Sequence, residues 1–136
     1  MKVLFLCTHN SARSQMAEGL LRYLGGSKFE VFSAGTEQTF VRPEAVQVMK
    51  EIGIDISAQT SKTLDTYLDQ QFDTVITVCE QATESCPVFP NVKQRIHWSF
   101  PDPSKAKGNP EKILSVYREV RDLMRERIER ELLSVD

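Results

Sequence analysis

Several features that the sequence lacks limit what this chain can be. No apolar run is long enough to span a bilayer, so we expect no membrane partner. The start of the chain lacks the pattern of a secretory signal, which predicts a cytoplasmic location. A net charge of −2 without a dense basic patch argues against nucleic acid as a partner. There are three cysteines, which in a reducing compartment favour reactive over structural thiols.

Strand and helix patterns alternate along the 136 residues, with no internal repeat and no low-complexity linker. The predicted strands cover residues 2–6, 29–33, 72–79 and 95–99, with a turn at Ala34-Gly35. The predicted helices cover residues 15–24, a segment from Pro43 to a stop at Gly53, a short turn near residues 63–68, and a long segment that opens at Asn109-Pro110. Strands joined by helical crossovers pair in parallel. We therefore predict one α/β domain over residues 1–136, a four-stranded parallel sheet flanked by helices.

Three of these helices carry an apolar stripe at helical spacing. The stripes consist of Met16, Leu20 and Leu24; of Val46, Met49 and Ile52; and of Ile113, Tyr117, Val120, Met124 and Ile128. The charged residues of the last helix are interpreted as a solvated face, with a docking surface as the alternative.

The segment after the first strand indicates a nucleophilic cysteine in an anion-binding loop. Cys7 ends the strand, and Thr8, His9, Asn10, Ser11, Ala12, Arg13 and Ser14 lead into a helix. A helix N-terminus offers unpaired N–H groups and partial positive charge, which favour both an ionised sulfur and a bound oxyanion. The alternative is that Cys7 is a small buried residue at a strand end. The neighbouring arginine and serine favour the reactive interpretation.

Arg13 and Ser14 supply the polar groups that such a site needs. A guanidinium binds two oxygens of an anion at once, which a lysine cannot do. The hydroxyl of Ser14 is suited to donate to the sulfur or to cap the helix. Cys7, Arg13 and Ser14 together therefore predict thiol chemistry on an oxyanion.

Cys79 and Cys86 form a second motif. The carboxyl ends of parallel strands share one edge of a sheet, so Cys79 at the end of the third strand is expected near Cys7. In a helix the Cα atoms of Cys79 and Cys86 would lie ~10 Å apart, whereas a disulfide needs them within about 7 Å. A disulfide between them requires the segment to bend, which predicts a loop whose conformation depends on its redox state. The alternative is two unrelated thiols.

Asp102 is the candidate acid for this chemistry, because an oxygen that leaves an oxyanion needs a proton. It lies between Pro101 and Pro103, which restrict the backbone of the loop. The alternative is an ordinary turn, which Asp next to Pro often forms.

The segment from Cys7 to Gly19 resembles the phosphate-binding loop and first helix of the low-molecular-weight tyrosine phosphatase superfamily, specifically its arsenate reductase branch. The resemblance covers nearly the whole chain, including Ser33-Ala34-Gly35, Gly53-Ile54-Asp55-Ile56-Ser57, Thr60-Ser61, the pair Cys79 and Cys86 followed by Pro87, and His97-Trp98 before Asp102-Pro103. The loop marks the superfamily, and the three cysteines are similar to those of the thioredoxin-coupled reductases.

This resemblance implies a relay of three cysteines that reduces arsenate to arsenite. Cys7 would attack arsenate held by Arg13 and the loop, and Asp102 would protonate the departing hydroxide. Cys79 would then release arsenite by forming a disulfide with Cys7, and Cys86 would move that disulfide to Cys79–Cys86 for reduction by thioredoxin. Asn10 would brace the loop and Ser14 would stabilise the thiolate. No tightly bound cofactor is implied.

The chain departs from the pattern of some relatives at Ala12 and Lys62. Ala12 replaces a further cysteine, which removes a competing thiol and leaves the relay intact. Lys62 stands where some relatives have an acidic residue that helps to hold potassium. An ammonium there would take the same role, so we predict no required metal.

Two other functions fit parts of this pattern. A phosphatase would use the same loop and acid, but Ser104 and Lys105 stand where phosphotyrosine enzymes place an aromatic residue, and a phosphatase needs neither Cys79 nor Cys86. A non-catalytic redox sensor or oxyanion-binding module would use the cysteine pair but gives no role to Asp102.

Overall fold

The computed structural model describes residues 1–80, 87–90 and 92–133. Its centre is a sheet of four parallel strands in the order β2-β1-β3-β4. The strands are β1 (Lys2–Cys7), β2 (Glu30–Gly35), β3 (Phe72–Thr77) and β4 (Val92–His97). The predicted α/β fold with a four-stranded parallel sheet is confirmed.

The sequence of strand β1 is a nearly continuous apolar run, because both faces of the strand are buried. Its alternate residues enter two different apolar clusters, with Phe5 in the larger and Leu4 in the smaller. The larger cluster contains residues of all three helices. The smaller contains a group of aromatic rings, in which Phe72 packs edge-to-face against Phe32 and Phe89, with ring centroids 5.6 and 5.4 Å apart.

Three helices cover the face of the larger cluster: α1 (Arg13–Gly25), α2 (Pro43–Lys50) and α3 (Pro110–Ile128). Helix α3 begins where predicted, because the Asn109 side chain accepts a hydrogen bond from Lys112 N at 2.8 Å. Four residues of its predicted stripe are buried: Tyr117, Val120, Met124 and Ile128. No helix in the described part of the chain is long and apolar enough to cross a membrane.

Several element boundaries differ from the prediction. Helix α1 begins at Arg13 rather than residue 15, and β3 ends at Thr77 rather than residue 79. Strand β4 begins and ends earlier than the predicted residues 95–99. It is an edge strand, and its exposed polar residues show no apolar alternation from which its ends could be predicted. In α2 the buried face contains Ala45, Val48 and Met49, whereas the predicted core residue Val46 is partly buried. The helix ends at Lys50, so Ile52, which is also partly buried, lies beyond it.

Strand β2 continues through Gly35, where a turn was predicted. Gly35 pairs with Cys7 at the end of β1, so it lies directly beside the loop that follows Cys7. A Cβ atom at this position would lie 2.7 Å from Thr8 O, and 2.9 Å from both Asn10 N and Cys7 O. The absent side chain therefore lets β2 and the loop approach each other.

Replacing Gly35 by alanine should lower the free energy of unfolding by about 1–3 kcal/mol, because the new methyl group meets backbone that cannot move aside. Chemical denaturation measures the loss. Gly19→Ala is the matched control, since its Cβ would meet the side chains of Ile56 and Met49. Side chains can shift, so the control should lose less. An equal loss in both variants would contradict this account.

Candidate active site

The loop from Thr8 to Ala12 joins β1 to α1 at the carboxyl edge of the sheet. Cys7 precedes it and is buried, with 2% of its surface exposed. Its Sγ lies 2.8 Å from Ser14 Oγ and accepts a hydrogen bond from Asn10 N at 3.2 Å. The sulfur therefore lies at the start of the helix, within hydrogen-bond distance of a hydroxyl and a backbone N–H group.

Asn10 holds the loop in shape. Its φ is +49°, a left-handed conformation that asparagine tolerates better than most residues. Its side-chain nitrogen donates to Ser14 Oγ at 2.8 Å and to Ser33 Oγ at 3.0 Å. Its side-chain oxygen accepts from Lys62 N at 2.8 Å and Gln15 Nε2 at 2.9 Å. The amide thus makes the two donations and two acceptances that it can offer.

The backbone carbonyls of the loop are bonded to groups outside it. Thr8 O, His9 O and Ser11 O accept hydrogen bonds from residues of the following segments, which are Thr36, Glu37, Thr39, Ser61 and Arg42. Because these carbonyl oxygens bond to groups outside the loop, they do not fill its centre, where they would repel an oxyanion. A concave ring of backbone at a helix N-terminus is a suitable cradle for a tetrahedral anion.

Arg13 and Asp102 lie together on one side of this cradle. Both side chains are buried, and Arg13 Nη2 is 3.6 Å from Asp102 Oδ2. Arg13 Nη1 also donates to Phe100 O at 3.2 Å. These contacts hold the guanidinium beside the loop and the carboxyl beside the guanidinium.

Ser104 orients the carboxyl of Asp102, a role that the sequence analysis missed. Asp102 Oδ1 accepts hydrogen bonds from Ser104 N at 3.0 Å and Ser104 Oγ at 2.7 Å. Oδ2 remains on the side of Arg13. The local signal was present, since Asp followed two residues later by Ser at a helix start is a capping pattern.

Cys79 follows β3 at the same edge of the sheet as Cys7. Leu6 pairs with Thr77, and Val78 N extends the ladder by donating to Leu6 O at 2.8 Å. Cys79 is buried and belongs to the same apolar cluster as Cys7. Cys7 is a free thiol, whereas Cys79 is disulfide-bonded. Cys86 and the predicted bend of its segment lie outside the described residues.

A second set of polar residues lies behind the loop, and the sequence pattern predicted no role for it. Ser33 Oγ, which accepts from Asn10, donates to Glu18 Oε1 at 2.5 Å. Gln15 donates to Asn10 and to Thr60 O at 3.0 Å. Ser33 was detectable as a polar residue near the end of a buried strand, and Glu18 as a carboxylate one turn beyond Ser14.

Lys62 and His9 lie at the border of the loop. The Lys62 ammonium donates to Thr60 O, and burial lowers the pKa of Lys62. His9 is half-exposed, with Nε2 3.8 Å from Glu37 Oε2. Within residues 1–80, 87–90 and 92–133, no group of three or more His, Cys, Asp and Glu side chains could hold a metal ion. The absence of a required metal stays a prediction.

This loop and fold match a known family over almost the whole chain. Residues 2–135 match the model of the low molecular weight phosphotyrosine protein phosphatase family. The chain belongs to this family. The resemblance drawn from the Cys7 loop is thereby confirmed.

Several family members similar to this chain are arsenate reductases. One from Halalkalibacterium halodurans is 52% identical over 93% of this chain and 91% of its own. A solved arsenate reductase in the phosphate-binding state is 37% identical and covers 99% and 98% of the two chains, with a TM-score of 0.82. The thioredoxin-dependent arsenate reductase Cg_ArsC1' of Corynebacterium glutamicum is 30% identical, with a TM-score of 0.69, covering 98% of this chain and 63% of its own.

Replacing Asn10 by alanine should lower the free energy of unfolding by about 2–3 kcal/mol, because buried partners lose their hydrogen bonds. Asn10→Gly is the matched control, since it loses the same bonds without a Cβ at a positive φ. Glycine should therefore be more stable than alanine by about 1 kcal/mol. Denaturant titrations of both variants measure this. A wild-type stability for Asn10→Ala would contradict the bracing role.

Proposed function

We propose that this chain reduces arsenate to arsenite through Cys7, Cys79 and Cys86, with thioredoxin as the reductant. The observation that carries the proposal is the difference between two cysteines at one edge of the sheet. Cys7 is a free thiol in an anion-binding loop, and Cys79 is disulfide-bonded. The arsenate reductases among its relatives support the same assignment.

Arsenate binds in the loop as a tetrahedral anion. Backbone N–H groups at the start of α1 and the buried guanidinium of Arg13 donate to its oxygens. Asn10 and Ser14 keep Cys7 Sγ at the base of this cradle, at the hydrogen-bond distances given above. The sulfur therefore faces the central atom of the anion.

The first step forms a bond between sulfur and arsenic. The Cys7 thiolate attacks the arsenic atom, and the bond from arsenic to one hydroxyl oxygen breaks. Asp102 supplies a proton to that oxygen from Oδ2, the carboxyl oxygen on the side of Arg13, so water departs. The product is a covalent arsenic(V) adduct on Cys7.

The second and third steps transfer electrons from sulfur to arsenic and then pass the disulfide outward. The Cys79 thiolate attacks Cys7 Sγ, and the electrons of the sulfur–arsenic bond stay with arsenic, which leaves as arsenite. Cys86 then attacks Cys79, so a Cys79–Cys86 disulfide forms and Cys7 is released as a thiolate. Thioredoxin reduces that disulfide and becomes oxidised itself. A free Cys7 beside an oxidised Cys79 corresponds to the chain after the third step.

Serine substitutions of the three cysteines test the relay. Cys7→Ser and Cys79→Ser should abolish arsenite formation. Cys86→Ser should stop after a single turnover, because the disulfide between Cys7 and Cys79 cannot move outward. The measurement compares arsenite formed with reduced thioredoxin consumed. Full multiple turnover in Cys86→Ser would remove the relay from the mechanism.

Hydrolysis of p-nitrophenyl phosphate by the same variants separates the reductase from a phosphatase. A phosphatase activity of this loop would need Cys7 but neither Cys79 nor Cys86. If hydrolysis is the main activity, wild type should hydrolyse the ester rapidly and reduce no arsenate. That result would replace the proposed function.

Replacing Asp102 by asparagine should lower the rate of arsenate reduction roughly 10²–10⁴-fold, because the departing oxygen loses its proton donor. The affinity for inorganic phosphate should change little, since the loop and Arg13 remain. Single-turnover kinetics and calorimetry measure the two effects. Ser104→Ala is the control that keeps the acid and removes one of its hydrogen bonds, and it should be affected only a few-fold. An equally large loss of phosphate binding in Asp102→Asn would instead assign Asp102 to the positioning of Arg13.

A further inference from the structure

A buried carboxylate lies behind the anion-binding loop. The Glu18 side chain is 6% exposed and accepts a hydrogen bond from Ser33 Oγ. Ser33 Oγ in turn accepts from the side-chain nitrogen of Asn10. The negative charge of Glu18 therefore lies two hydrogen bonds from the residue that shapes the loop. An unpaired charge at such depth is costly and would repel an oxyanion nearby.

Arg22, one helical turn further along α1, pairs with this carboxylate from the surface. Its Nη2 lies 2.6 Å from Glu18 Oε2 and also donates to Val31 O at 2.9 Å. About half of the side chain is solvent-exposed, at 51%. Solvent thus reaches Arg22, while the carboxylate beneath it is buried.

A second polar connection runs from Arg22 to the same asparagine. Arg22 Nη1 donates to Gln59 Oε1 at 3.2 Å, and Gln59 Nε2 donates to Gln15 Oε1 at 2.8 Å. Gln15 Nε2 then donates to Asn10 Oδ1 at 2.9 Å. One connection reaches the nitrogen of the Asn10 amide and the other reaches its oxygen.

We propose that Arg22 is a positioning residue for the oxyanion site: by neutralising buried Glu18, it keeps Ser33 and Asn10 in the arrangement that binds the anion. The inference rests on the proposed function for its catalytic consequence. Arg22 is on the outer side of Glu18 and acts through it. Without the guanidinium, the buried charge of Glu18 is left without this partner, repels the anion and alters the hydrogen bonds at Ser33.

Lys62 limits the size of the effect. Burial lowers the pKa of Lys62, and the charge of Glu18 opposes that shift. The ammonium therefore also interacts electrostatically with this carboxylate. Its hydrogen bond goes to Thr60 O. Lys62 remains when Arg22 is replaced, so the loss of anion binding should be partial.

The test measures the affinity for inorganic phosphate by calorimetry in Arg22→Ala, Arg22→Lys and the double variant Glu18→Gln/Arg22→Ala. Arg22→Ala should bind phosphate roughly tenfold more weakly, the size expected when the net contribution of one hydrogen bond is lost. Arg22→Lys should fall between it and wild type, because it keeps the charge but not the planar fork. The double variant should recover most of the affinity, since no buried charge is left to neutralise.

The double variant decides between charge compensation and simple bracing. Like Arg22→Ala, the double variant lacks the hydrogen bonds to Val31 and Gln59. If Arg22 acted only by bracing, the double variant would bind phosphate no more tightly than Arg22→Ala. Guanidinium chloride at a low, non-denaturing concentration should restore phosphate binding to Arg22→Ala, while equal sodium chloride should not. Wild-type affinity in Arg22→Ala, or no recovery in the double variant, would overturn the proposal.

Arg118→Ala is the matched control. Arg118 also pairs with a carboxylate of another element, with Nη2 2.8 Å from Glu51 Oε2, and is 30% exposed. Among the described residues, Glu51 pairs with Arg118 and Arg121, which belong to α3 and not to the loop. Arg118→Ala should lose stability and keep its phosphate affinity. Phosphate binding is measured without any turnover. A chain that failed to reduce arsenate would therefore leave the role of Arg22 in anion binding intact, so failure of the proposed function and failure of the Arg22 proposal are distinguishable.

Discussion

The side-chain amide of Asn10 joins the loop to three other parts of the molecule at the point where the thiol must be held. It bonds to Ser14 and Gln15 of helix α1, Ser33 of strand β2 and the backbone of Lys62. The same residue turns the loop through a positive φ and donates its backbone N–H to Cys7 Sγ. The shape of the anion cradle and its connection to the neighbouring segments therefore depend on this one residue.

The parallel sheet explains why cysteines distant in sequence can take part in one reaction. Strands β1 and β3 are neighbours that run in the same direction, so Cys7 and Cys79 leave the sheet at the same edge. Both cysteines are buried. The proposed exchange between them therefore starts from two neighbouring strand ends.

Charge is distributed around the site in layers. Arg13 and the helix N-terminus favour an anion in the cradle, Asp102 faces Arg13, and Glu18 lies behind the loop beneath Arg22. Each buried carboxylate is next to an arginine, which lowers the cost of its burial. This pairing lets a site built to attract anions contain two acids.

Much of this arrangement was predictable from local sequence. The apolar run before Cys7, the helical stripes, the cap at Asn109 and the Cys7 to Ser14 loop depend on residues close in sequence, and each was identified. Element ends were less accurate. Gly35 looked like a turn because glycine usually marks one, whereas here its missing side chain makes room for a loop that is 25 or more residues away in sequence.

Local sequence was enough to predict the fold class and to locate the loop after the first strand, because periodicity and residue chemistry are local properties. Tertiary structure alone decided that Ser33, Glu18, Gln59 and Arg22 converge on Asn10, and that Ser104 orients Asp102 towards Arg13. Hydrogen-bond partners across elements depend on strand order and helix packing. Those distances do not exist until the chain has folded.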